Sequence, residues 1–397
     1  MATGYSQKEL IKFNFESLNL DSNDFFGNSP PAVFVGRFGY PKVNVGILSP
    51  VEKKEDANLL DNPKEWAKQK LRDIDIIKLR SQLINSRFQS NIKSFDSRFL
   101  NLSQEVSMAY KPVDMEIQLK NKPKKVTELN RFTKPLSNNA NLRNIKITEN
   151  PKIKTAVDKT TSDWDLKAVQ GINKLYNKGF DENFLHKILS IGLLGIRKNR
   201  KLVPTRWSIT ATDDTITKEL LKEIKYNEPL ETTLVYSGYY LGNIYLFILM
   251  PGVWSYELFE MEVPFKTNPW SKTGNFYGYD YENYYGRKGY VDETAGGYFA
   301  SRLPAVEKLK QLKKQASVLV LRFITEEDKF PLGVWVCREA SRISLNSEPI
   351  EFEDEQLAIN YAKAFAKNKF KEDIGTILNE SKTIRTVKEQ PRLSKWL

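Results

Sequence analysis

The spacing of hydrophobic and polar residues changes along the chain between a two-residue period and a helical period. Apolar residues at alternate positions, rich in valine, predict two short strands at residues 33–35 and 43–48, joined by a glycine-containing turn. Apolar residues spaced three and four apart predict helices, and the run DENFLHKILSIGLLG begins one with Asp181 near its N-terminus. Strands and helices are interspersed without a regular βαβ order, which predicts an α+β fold.

Further elements follow from the same two periods. Helices are predicted at residues 61–88, 94–110, 162–180, 215–224, 303–315 and 354–370. Strands are predicted at residues 114–120, 316–324 and 332–340. Asp61 or Asn62 would cap the first of these helices, because Pro63 suits a first helical turn.

Composition divides the chain into three parts. Residues 1–30 are a polar lead-in, residues 31–370 form one large α+β body, and residues 371–397 are a tether with little apolar periodicity. Within the body, the Lys-, Asn- and Pro-rich stretch at residues 120–155 predicts an extended, irregular crossing segment, which is an alternative point of subdivision. A chain of this length can bury a sizeable hydrophobic core.

The chain carries an excess of positive charge. Its 61 Lys and Arg residues outnumber 49 Asp and Glu residues, which gives a formal net charge of +12. This balance favours a polyanionic partner, above all nucleic acid, although a lysine-rich composition can also reflect the genome. The most apolar run, at residues 244–254, is too short for a membrane span and contains Pro251, so no membrane partner is expected. The start of the sequence lacks a signal-peptide pattern, which predicts a cytoplasmic protein.

One cysteine and one histidine restrict the available chemistry. Cys337 alone cannot form an internal disulfide, and one chain cannot complete a Cys/His zinc site, so zinc is not expected and no metal site is predicted. A Ser–His or Cys–His nucleophile system would require His186, which is interpreted instead as a packed or surface residue of its helix. Cys337 is interpreted as a small buried side chain in the strand at residues 332–340.

The motif VFVGRFGYPKVNVG places glycines at positions 36 and 39 around Arg37. Accessible backbone N–H groups beside a cation can form an anion-binding nest, so Arg37 is a candidate phosphate ligand. The alternative is a hairpin in which the glycines only supply positive φ angles.

A dense basic run precedes an Arg–Trp pair in the stretch IRKNRKLVPTRWSITATDDTI. Arginine and lysine bind phosphates and tryptophan stacks on bases, so this stretch predicts nucleic-acid contact. The candidate residues are Arg197, Lys198, Arg200, Lys201, Arg206 and Trp207. The alternative for the basic run is a solvated loop.

Thr212 or Asp213 is interpreted as the cap of the helix at residues 215–224, and Asp214 lies beside it.

Tyrosine and glycine are concentrated at residues 270–299, where they predict an adaptable surface for stacking or for an extended ligand. Asp280, Asp292 and Glu293 lie in this tract and could act as acid, base or Mg²⁺ ligands, or as turn residues and helix caps. The sequence has no phosphate-loop motif and no dinucleotide-binding glycine motif, which argues against an ATP-driven motor.

Three blocks, PPAVFVGRFGYPKVNVG, RKLVPTRWSITATDD and AGGYFASRLPAVEKL, together resemble the archaeal Nre family of DNA-repair proteins. The resemblance extends from about residue 30 to the end of the sequence. It implies participation in DNA-damage repair in an archaeal cytoplasm and a C-terminal motif that binds the sliding clamp PCNA. Members of the family often carry a cysteine-rich, zinc-finger-like N-terminus, which this sequence lacks, so a zinc-dependent role is not expected.

The sequence ends in QPRLSKWL, which fits such a clamp-binding motif. A glutamine is followed three residues later by an aliphatic residue and then by two bulky apolar residues, here Gln390, Leu393, Trp396 and Leu397. A spacing of three matches the period of a 3₁₀ turn and would place Leu393 and Trp396 on one face. PCNA and DNA are therefore the expected partners.

Three functions remain open from the sequence. The first is a non-catalytic DNA-binding repair factor recruited by the clamp. The second is an enzyme acting on DNA or a nucleotide through carboxylates, for which Mg²⁺ would be the expected cofactor. Its candidate residues are Asp213, Asp214, Asp280, Asp292 and Glu293. The third is an adaptor that binds other proteins through the tyrosine-rich surface.

Overall fold

The computed structural model of the chain divides into two units, each with its own six-stranded sheet. The described residues are 22–94, 96–123, 138–266 and 276–389, together with the backbone of Ile11–Lys12 and Glu128–Leu129. The first unit runs to Ile216 and also includes Phe330–Leu332. The second unit contains Thr217–Lys329 and the chain from Gly333 onward.

Strands and short helices alternate in the first unit. Its described strands are β1 (Ile11–Lys12), β2 (Asp24–Ser29), β3 (Ala32–Val35), β4 (Lys42–Pro50), β5 (Leu83–Asn91), β6 (Val113–Leu119), β7 (Glu128–Leu129) and β8 (Asn138–Ile147). Its described α-helices are α1 (Pro63–Lys68), α2 (Asp73–Ser81), α3 (Arg98–Met108), α4 (Thr155–Thr161), α5 (Ala168–Tyr176) and α6 (Glu182–Ser190). Single 3₁₀ turns lie at Ala57–Asp61 and Arg197–Asn199, and α7 (Thr205–Ile224) begins in this unit and ends in the second.

A six-stranded sheet in the order β2-β6-β8-β5-β4-β3 organises the first unit. Strands β5 and β8 pair in parallel, and the other neighbours in the sheet pair antiparallel. Side chains of strand β6 alternate between the hydrophobic core and the surface. Val113, Met115 and Ile117 are buried, whereas Glu116 is exposed. This is the two-residue period of a strand with one face on a core. The buried side chains pack with Val106 of α3.

Two helix starts that the sequence predicts are confirmed in this unit. Pro63 begins α1, and the side chain of Asn62 accepts a hydrogen bond from the N–H of Glu65 at 3.2 Å. At the start of α6, the side chain of Asp181 accepts a hydrogen bond from the N–H of Phe184 at 2.8 Å. Each cap satisfies a backbone donor that helix geometry leaves without an intrahelical partner.

The second unit is built around a sheet in the order β12-β11-β13-β10-β9-β14, in which β11 and β13 are parallel. Its described strands are β9 (Thr233–Tyr240), β10 (Asn243–Met250), β11 (Ser255–Glu262), β12 (Tyr277–Glu282), β13 (Ser317–Ile324) and β14 (Ile350–Phe352). Its described helices are α8 (Ala295–Leu312), α9 (Trp335–Leu345), α10 (Glu355–Phe370), α11 (Gly375–Glu380) and α12 (Lys382–Glu389). None of the described helices combines the length and apolar character needed to cross a membrane.

Strand alternation sends different side chains to the two faces of this second sheet. One face forms a hydrophobic core with α10, α11 and α12, in which Leu246 of β10 packs in the same cluster as Ile359 of α10. The other face lies under α8 and α9. There the hydroxyl of Tyr245 accepts a hydrogen bond from Ser301 of α8, and α9 packs against β9 and β10. The second unit is therefore a helix–sheet–helix arrangement, and the observed mixture of elements confirms the predicted α+β class.

The continuous helix predicted at residues 61–88 is wrong. The chain there forms α1 and α2, separated by a turn in which Lys70 has a φ of 54°, and then enters β5. Strand β5 is paired on both sides, with β4 and β8. These hydrogen bonds to distant parts of the chain outweigh a local helical spacing. The irregular segment predicted at residues 120–155 likewise contains a regular strand, β8, and reaches the first residue of α4.

The strand predicted at residues 332–340 is also wrong, because Trp335–Leu345 forms α9. Most of this helix is buried, including its charged residues Arg338 and Glu339, so burial does not follow the polarity of its sequence. Cys337 is buried, as predicted, but on a helix. Burial raises the pKa of the Cys337 thiol, which makes it a poor nucleophile at neutral pH.

The polar tether predicted after residue 371 is wrong for its described part, which forms α11 and α12. Ile377 and Ile384 are buried in the core of the second unit. Glu257, a fully buried residue of β11, accepts hydrogen bonds at 3.0 Å from the backbone N–H groups of Lys382 and Thr383. A carboxylate from a distant strand therefore caps α12, and nothing in the local sequence of the helix signals this contact.

Candidate nucleic-acid interface

The first two of the three sequence blocks meet on the first unit. The backbone N–H of Val35, at the end of β3, donates a hydrogen bond to the Oγ1 of Thr205, the first residue of α7, at 2.9 Å. Beside this bond, the rings of Tyr40 and Trp207 lie with their centroids 5.6 Å apart and their planes inclined at 55°. The hairpin that joins β3 to β4 and the first turn of α7 are therefore in contact.

The hairpin predicted between β3 and β4 is confirmed. The two strands are antiparallel, and the N–H of Gly36 donates to the carbonyl of Asn44 at 2.8 Å. Gly39 has a φ of 80°, and a Cβ at this position would lie 2.7 Å from the carbonyl oxygen of Lys42. A side chain at position 39 would thus be strained, and the glycine keeps the turn tight. The side chains on either side of it, Phe38 and Tyr40, are exposed.

The start of α7 is fixed by hydrogen bonds to its own unit. Besides the bond from Val35, the Oγ1 of Thr205 lies 3.2 Å from the hydroxyl of Ser190, and that hydroxyl donates to the carbonyl of Val203 at 2.7 Å. Ser208 is buried, whereas Arg206 and Trp207 face solvent in the same turn. Trp207 is 48% exposed, so it is a half-covered surface ring and not a core residue.

The basic run at residues 197–201 is joined to the same hairpin through the backbone. The N–H of Leu202 donates to the carbonyl of Ile92 at 2.8 Å, and the N–H of Ile92 donates to the carbonyl of Pro41 at 3.0 Å. Because of these two bonds, the segments that carry Lys201 and Lys93 lie beside the hairpin. Both lysines are exposed.

We group the exposed residues on the segments joined by these contacts under one name, the hairpin face. It consists of Arg37, Phe38, Tyr40, Lys42, Lys93, Lys201, Arg206 and Trp207. None of its cations forms an ion pair with a carboxylate of the described residues. The surface therefore combines exposed aromatic rings with positive charge that the described chain does not neutralise.

The remaining arginines of the basic run have structural partners. The guanidinium of Arg200 donates to the carbonyl of Gly195 at 2.7 Å and to that of Asp163 at 2.9 Å. Its partial burial lowers its pKa, and Asp163 opposes that shift. Arg197 lies over the ring of Trp164 at 3.8 Å and is exposed, as is its neighbour Lys198. Arg200 thus ties the loop together, whereas the other cations keep their charge at the surface.

The carboxylates of the tyrosine-rich tract are held by backbone groups in the second unit. Asp280, buried on β12, accepts hydrogen bonds of 2.8 to 2.9 Å from the N–H groups of Asp292, Glu293 and Thr294. Thr294 is the N-cap residue of α8, so Asp280 fixes the entry to that helix. Glu293 accepts the N–H of Tyr279 at 3.1 Å, and Asp292 pairs with Arg287. These contacts are those of turn residues and caps.

The other two candidate carboxylates lie on α7. The cap interpretation of Asp213 is wrong, because α7 begins at Thr205 and Asp213 lies in its interior, with 1% of its surface exposed. Asp213 and Asp214 belong to the first unit and Asp280 to the second, so the five candidates are not gathered within either unit. Among the described residues, no cluster of three or more His, Cys, Asp or Glu side chains is arranged to hold a metal ion.

His186 lies on α6, where its Nδ1 is 3.0 Å from the carbonyl oxygen of Glu182.

The third sequence block forms α8 and packs on the face of the second sheet opposite α10, α11 and α12. Arg302 pairs with Glu282 at 2.8 Å, and both side chains are almost fully buried. Gly297 is needed for close approach, because a Cβ there would lie 2.3 Å from Oε1 of Glu260. Burial raises the pKa of Glu260, and the nearby Arg322 at 2.6 Å opposes that shift. The unusual residues of this block are thus explained by packing within the second unit.

The tyrosines of the same tract are divided between packing and exposure. Tyr279 of β12 stacks on Phe259 with ring centroids 5.3 Å apart, and the ammonium of Lys382 in α12 lies 5.7 Å from the Tyr279 ring centre. In contrast, Tyr285 and Tyr290 in the following loop are 88% and 55% exposed. Part of the predicted recognition surface is therefore internal to the second unit.

The sequence motifs contained every residue of the hairpin face except Lys93, but not their relationship. Phe38 and Tyr40 stand in the first motif beside Arg37, and Trp207 stands in the second. Only the fold shows that Tyr40 and Trp207 are in contact, since they lie far apart in the chain. Lys93 carries no local signal at all, because it follows an ordinary strand.

The fold and the hairpin face define an α+β protein of two units with a basic, aromatic surface on the first. The chain belongs to the archaeal Nre family: the family described as "Archaeal Nre, N-terminal" matches residues 8–271, and "Archaeal Nre, C-terminal" matches residues 282–396. No solved structure gave a significant match.

Three relatives from archaea are similar over most of their length. DNA repair protein NreA of Haloferax volcanii is 37% identical over 352 residues, which cover 87% of this chain and 83% of the relative. DNA repair protein NreA of Archaeoglobus fulgidus is 37% identical over 363 residues, covering 91% and 90% of the two chains. DNA repair protein NreB of Archaeoglobus fulgidus is 33% identical and covers 85% of this chain and 84% of its own.

The predicted clamp-binding residues Gln390, Leu393, Trp396 and Leu397 lie outside the described residues. The chain that leads to them is described as far as Glu389, the last residue of α12.

Proposed function

We propose that this protein acts in DNA repair in the cytoplasm, binds DNA on the hairpin face of its first unit, and is recruited to the sliding clamp PCNA by its C-terminal motif. The names of its relatives, which cover between 85% and 91% of the chain, support the repair role. The observation that carries DNA binding is the contact between two sequence blocks, which gathers exposed rings and cations on one surface.

Electrostatics favours DNA over a protein partner at this surface. Arg37, Lys42, Lys93, Lys201 and Arg206 lie in a chain with a net charge of +12, and none of them is paired with a described carboxylate. Cations of this kind bind phosphates and release the counterions condensed on DNA. A protein partner would have to supply a matching acidic surface, whereas every DNA sequence supplies one.

The carboxylates give no comparable support to an enzymatic function. Asp280 is occupied by three backbone N–H groups, and Glu293 by one. These hydrogen bonds stabilise a loop and the start of α8. Asp280 and Glu293 therefore have a structural role that does not depend on DNA. We therefore favour a non-catalytic DNA-binding factor over a carboxylate- or Mg²⁺-dependent enzyme.

Recruitment by PCNA is supported by the sequence of the last residues. It is also supported by the position of the motif, which begins directly after α12. Glu257 holds the N-terminus of α12 through the N–H groups of Lys382 and Thr383, and α12 ends at Glu389. The proposed motif thus starts directly after a helix that is anchored on the second unit.

The salt dependence of DNA binding tests the proposed surface. In the variant Lys42→Ala/Lys201→Ala/Arg206→Ala, each lost phosphate contact should reduce the slope of log affinity against log salt by about 0.7 to 0.9. A control variant removes three exposed lysines elsewhere, Lys122, Lys146 and Lys367, and has the same net charge. Equal slopes for the two variants would contradict a specific role for the hairpin face.

A further inference from the structure

Phe38 is an exposed phenylalanine at the tip of the hairpin between β3 and β4. Phe38 is 77% exposed, so most of its ring is accessible to a ligand. The guanidinium of Arg37 lies 5.0 Å from the centre of its ring. A cation over one side of the ring leaves the other side open to a ligand.

Three aromatic rings are presented together on the hairpin face. Tyr40 and Trp207 are 44% and 48% exposed, and Phe38 is two residues from Tyr40 on the same turn. The Tyr40 and Trp207 rings already touch each other at 5.6 Å, so a flat ligand would stack on their outer side and not between them. The cations Lys42, Lys201 and Arg206 belong to the same surface.

The combination of open rings and cations distinguishes between two forms of DNA. In a duplex each base is covered by its neighbours, and most protein contacts go to phosphate and sugar, so exposed rings gain little. In an unpaired strand each base offers a flat face on which an aromatic side chain stacks, while cations follow the backbone. A surface that binds only duplex DNA would need lysine and arginine for the phosphates but no exposed aromatic rings.

We propose that the hairpin face binds an unpaired DNA strand, with Phe38, Tyr40 and Trp207 stacking on bases and the neighbouring cations binding phosphates. This inference rests on the proposed DNA-binding function and names its substrate class. Phe38 is the residue that distinguishes binding of an unpaired strand from binding of a duplex. Its side chain carries no charge, so it can contact DNA only by stacking on a base.

Fluorescence anisotropy with a labelled oligothymidylate and a blunt duplex of equal length tests the proposal. We expect the wild-type protein to bind the single strand more tightly. Phe38→Ala should weaken single-strand binding about 5- to 150-fold and leave duplex binding within about twofold. Phe38→Trp should restore the single-strand affinity. Tyr285→Ala removes an even more exposed ring from the second unit and should change neither affinity.

The outcomes separate this inference from the proposed function. If Phe38→Ala leaves single-strand affinity unchanged, or weakens both ligands equally, the inference is overturned. If in addition the triple variant Lys42→Ala/Lys201→Ala/Arg206→Ala weakens binding of both ligands, DNA binding on this face stands without a preference for unpaired strands. If the triple variant binds both ligands as the wild type does, the proposed function itself fails. Thermal unfolding of Phe38→Ala, expected at the wild-type temperature, shows that the fold is retained.

Discussion

Tyr40 and Trp207 lie ring against ring, with centroids 5.6 Å apart, although one stands on a hairpin and the other on the first turn of α7. The bond from the N–H of Val35 to Thr205 holds the two elements together. Because of this pair, two separate basic stretches of the sequence contribute to a single exposed surface. The DNA-binding proposal depends on that surface.

Thr205→Val should destabilise the contact between the hairpin and α7. The valine has nearly the same shape but cannot accept the hydrogen bond of the Val35 N–H, which would be left partly buried without a partner. We expect the free energy of unfolding to fall by about 1–3 kcal/mol. Urea unfolding measures this change. Thr205→Ser keeps the acceptor oxygen and serves as the control, so a similar loss in both variants would show that the hydrogen bond is not responsible.

Trp207→Ala should weaken DNA binding by about 1–3 kcal/mol, because the exposed part of the ring would no longer stack on a base. The fold should be nearly unaffected, since 48% of the side chain is exposed. Trp254→Ala provides the matched control, because Trp254 is fully buried and donates to Glu282 at 3.0 Å. That variant should lose about 3–5 kcal/mol of stability. A comparable loss in Trp207→Ala would assign Trp207 to the core instead.

Features set by neighbouring residues could be predicted from the sequence. The caps at Asn62 and Asp181 and the hairpin around Gly39 depend on side-chain and backbone geometry within a few residues. The exposure of Arg206 follows from its charge, although the helix that carries it begins at Thr205 and not, as predicted, at residue 215. The clamp-binding motif stays a prediction, because Gln390 and the residues after it lie outside the described part of the chain.

Features set by distant residues could not be predicted. The segment around Cys337 begins with the apolar run VWVC, which is too short to distinguish a strand from a buried helix. The residues of α12 look like a polar tether, since the group that caps them, Glu257, belongs to another strand. Arg200 looks like any other cation of the basic run, but it is held by two backbone carbonyls that its neighbours do not reach.

Glu257 should make the stability of the protein depend on pH. Burial raises the pKa of its carboxyl above the ordinary 4.5, although hydrogen bonds from Ser381, Thr383 and Lys382 oppose the shift. The folded protein therefore holds this proton more tightly than the unfolded chain does. The resulting stabilisation is present below the unfolded pKa and is lost as the pH rises through the folded one.

The difference between the wild type and Glu257→Gln isolates this effect, because glutamine does not titrate. We expect the stability of the wild type, relative to the variant, to fall as the pH is raised from about 4 to 7. Urea unfolding at several pH values measures the difference. A constant difference over this range would mean that Glu257 keeps an ordinary pKa in the folded protein.

A synthetic peptide of residues 390–397 should bind PCNA without the rest of the protein. Leu393, Trp396 and Leu397 could each contribute about 1.5–3 kcal/mol on burial in a preformed cleft, and ordering the peptide offsets part of this. The remainder corresponds to a dissociation constant on the order of micromolar. Calorimetry with the peptide checks this value, with a peptide in which Leu393 and Trp396 are replaced by alanine as control.

Deletion of residues 390–397 from the full chain should abolish PCNA binding and leave thermal unfolding unchanged, since the last described helix, α12, is retained. A lower unfolding temperature would indicate that these residues pack on their own protein. No measurable binding of the peptide at high micromolar concentration would show that the match to a clamp-binding motif is accidental.

The location of bound DNA is the most direct test of the account. A single-stranded oligonucleotide containing 5-iododeoxyuridine, which crosslinks on irradiation to aromatic side chains stacked on it, would be bound, irradiated and mapped by mass spectrometry. We predict crosslinks at Phe38, Tyr40 or Trp207, the exposed rings of the hairpin face. Crosslinks confined to the exposed tyrosines of the second unit, Tyr226 and Tyr285, would contradict DNA binding on the hairpin face.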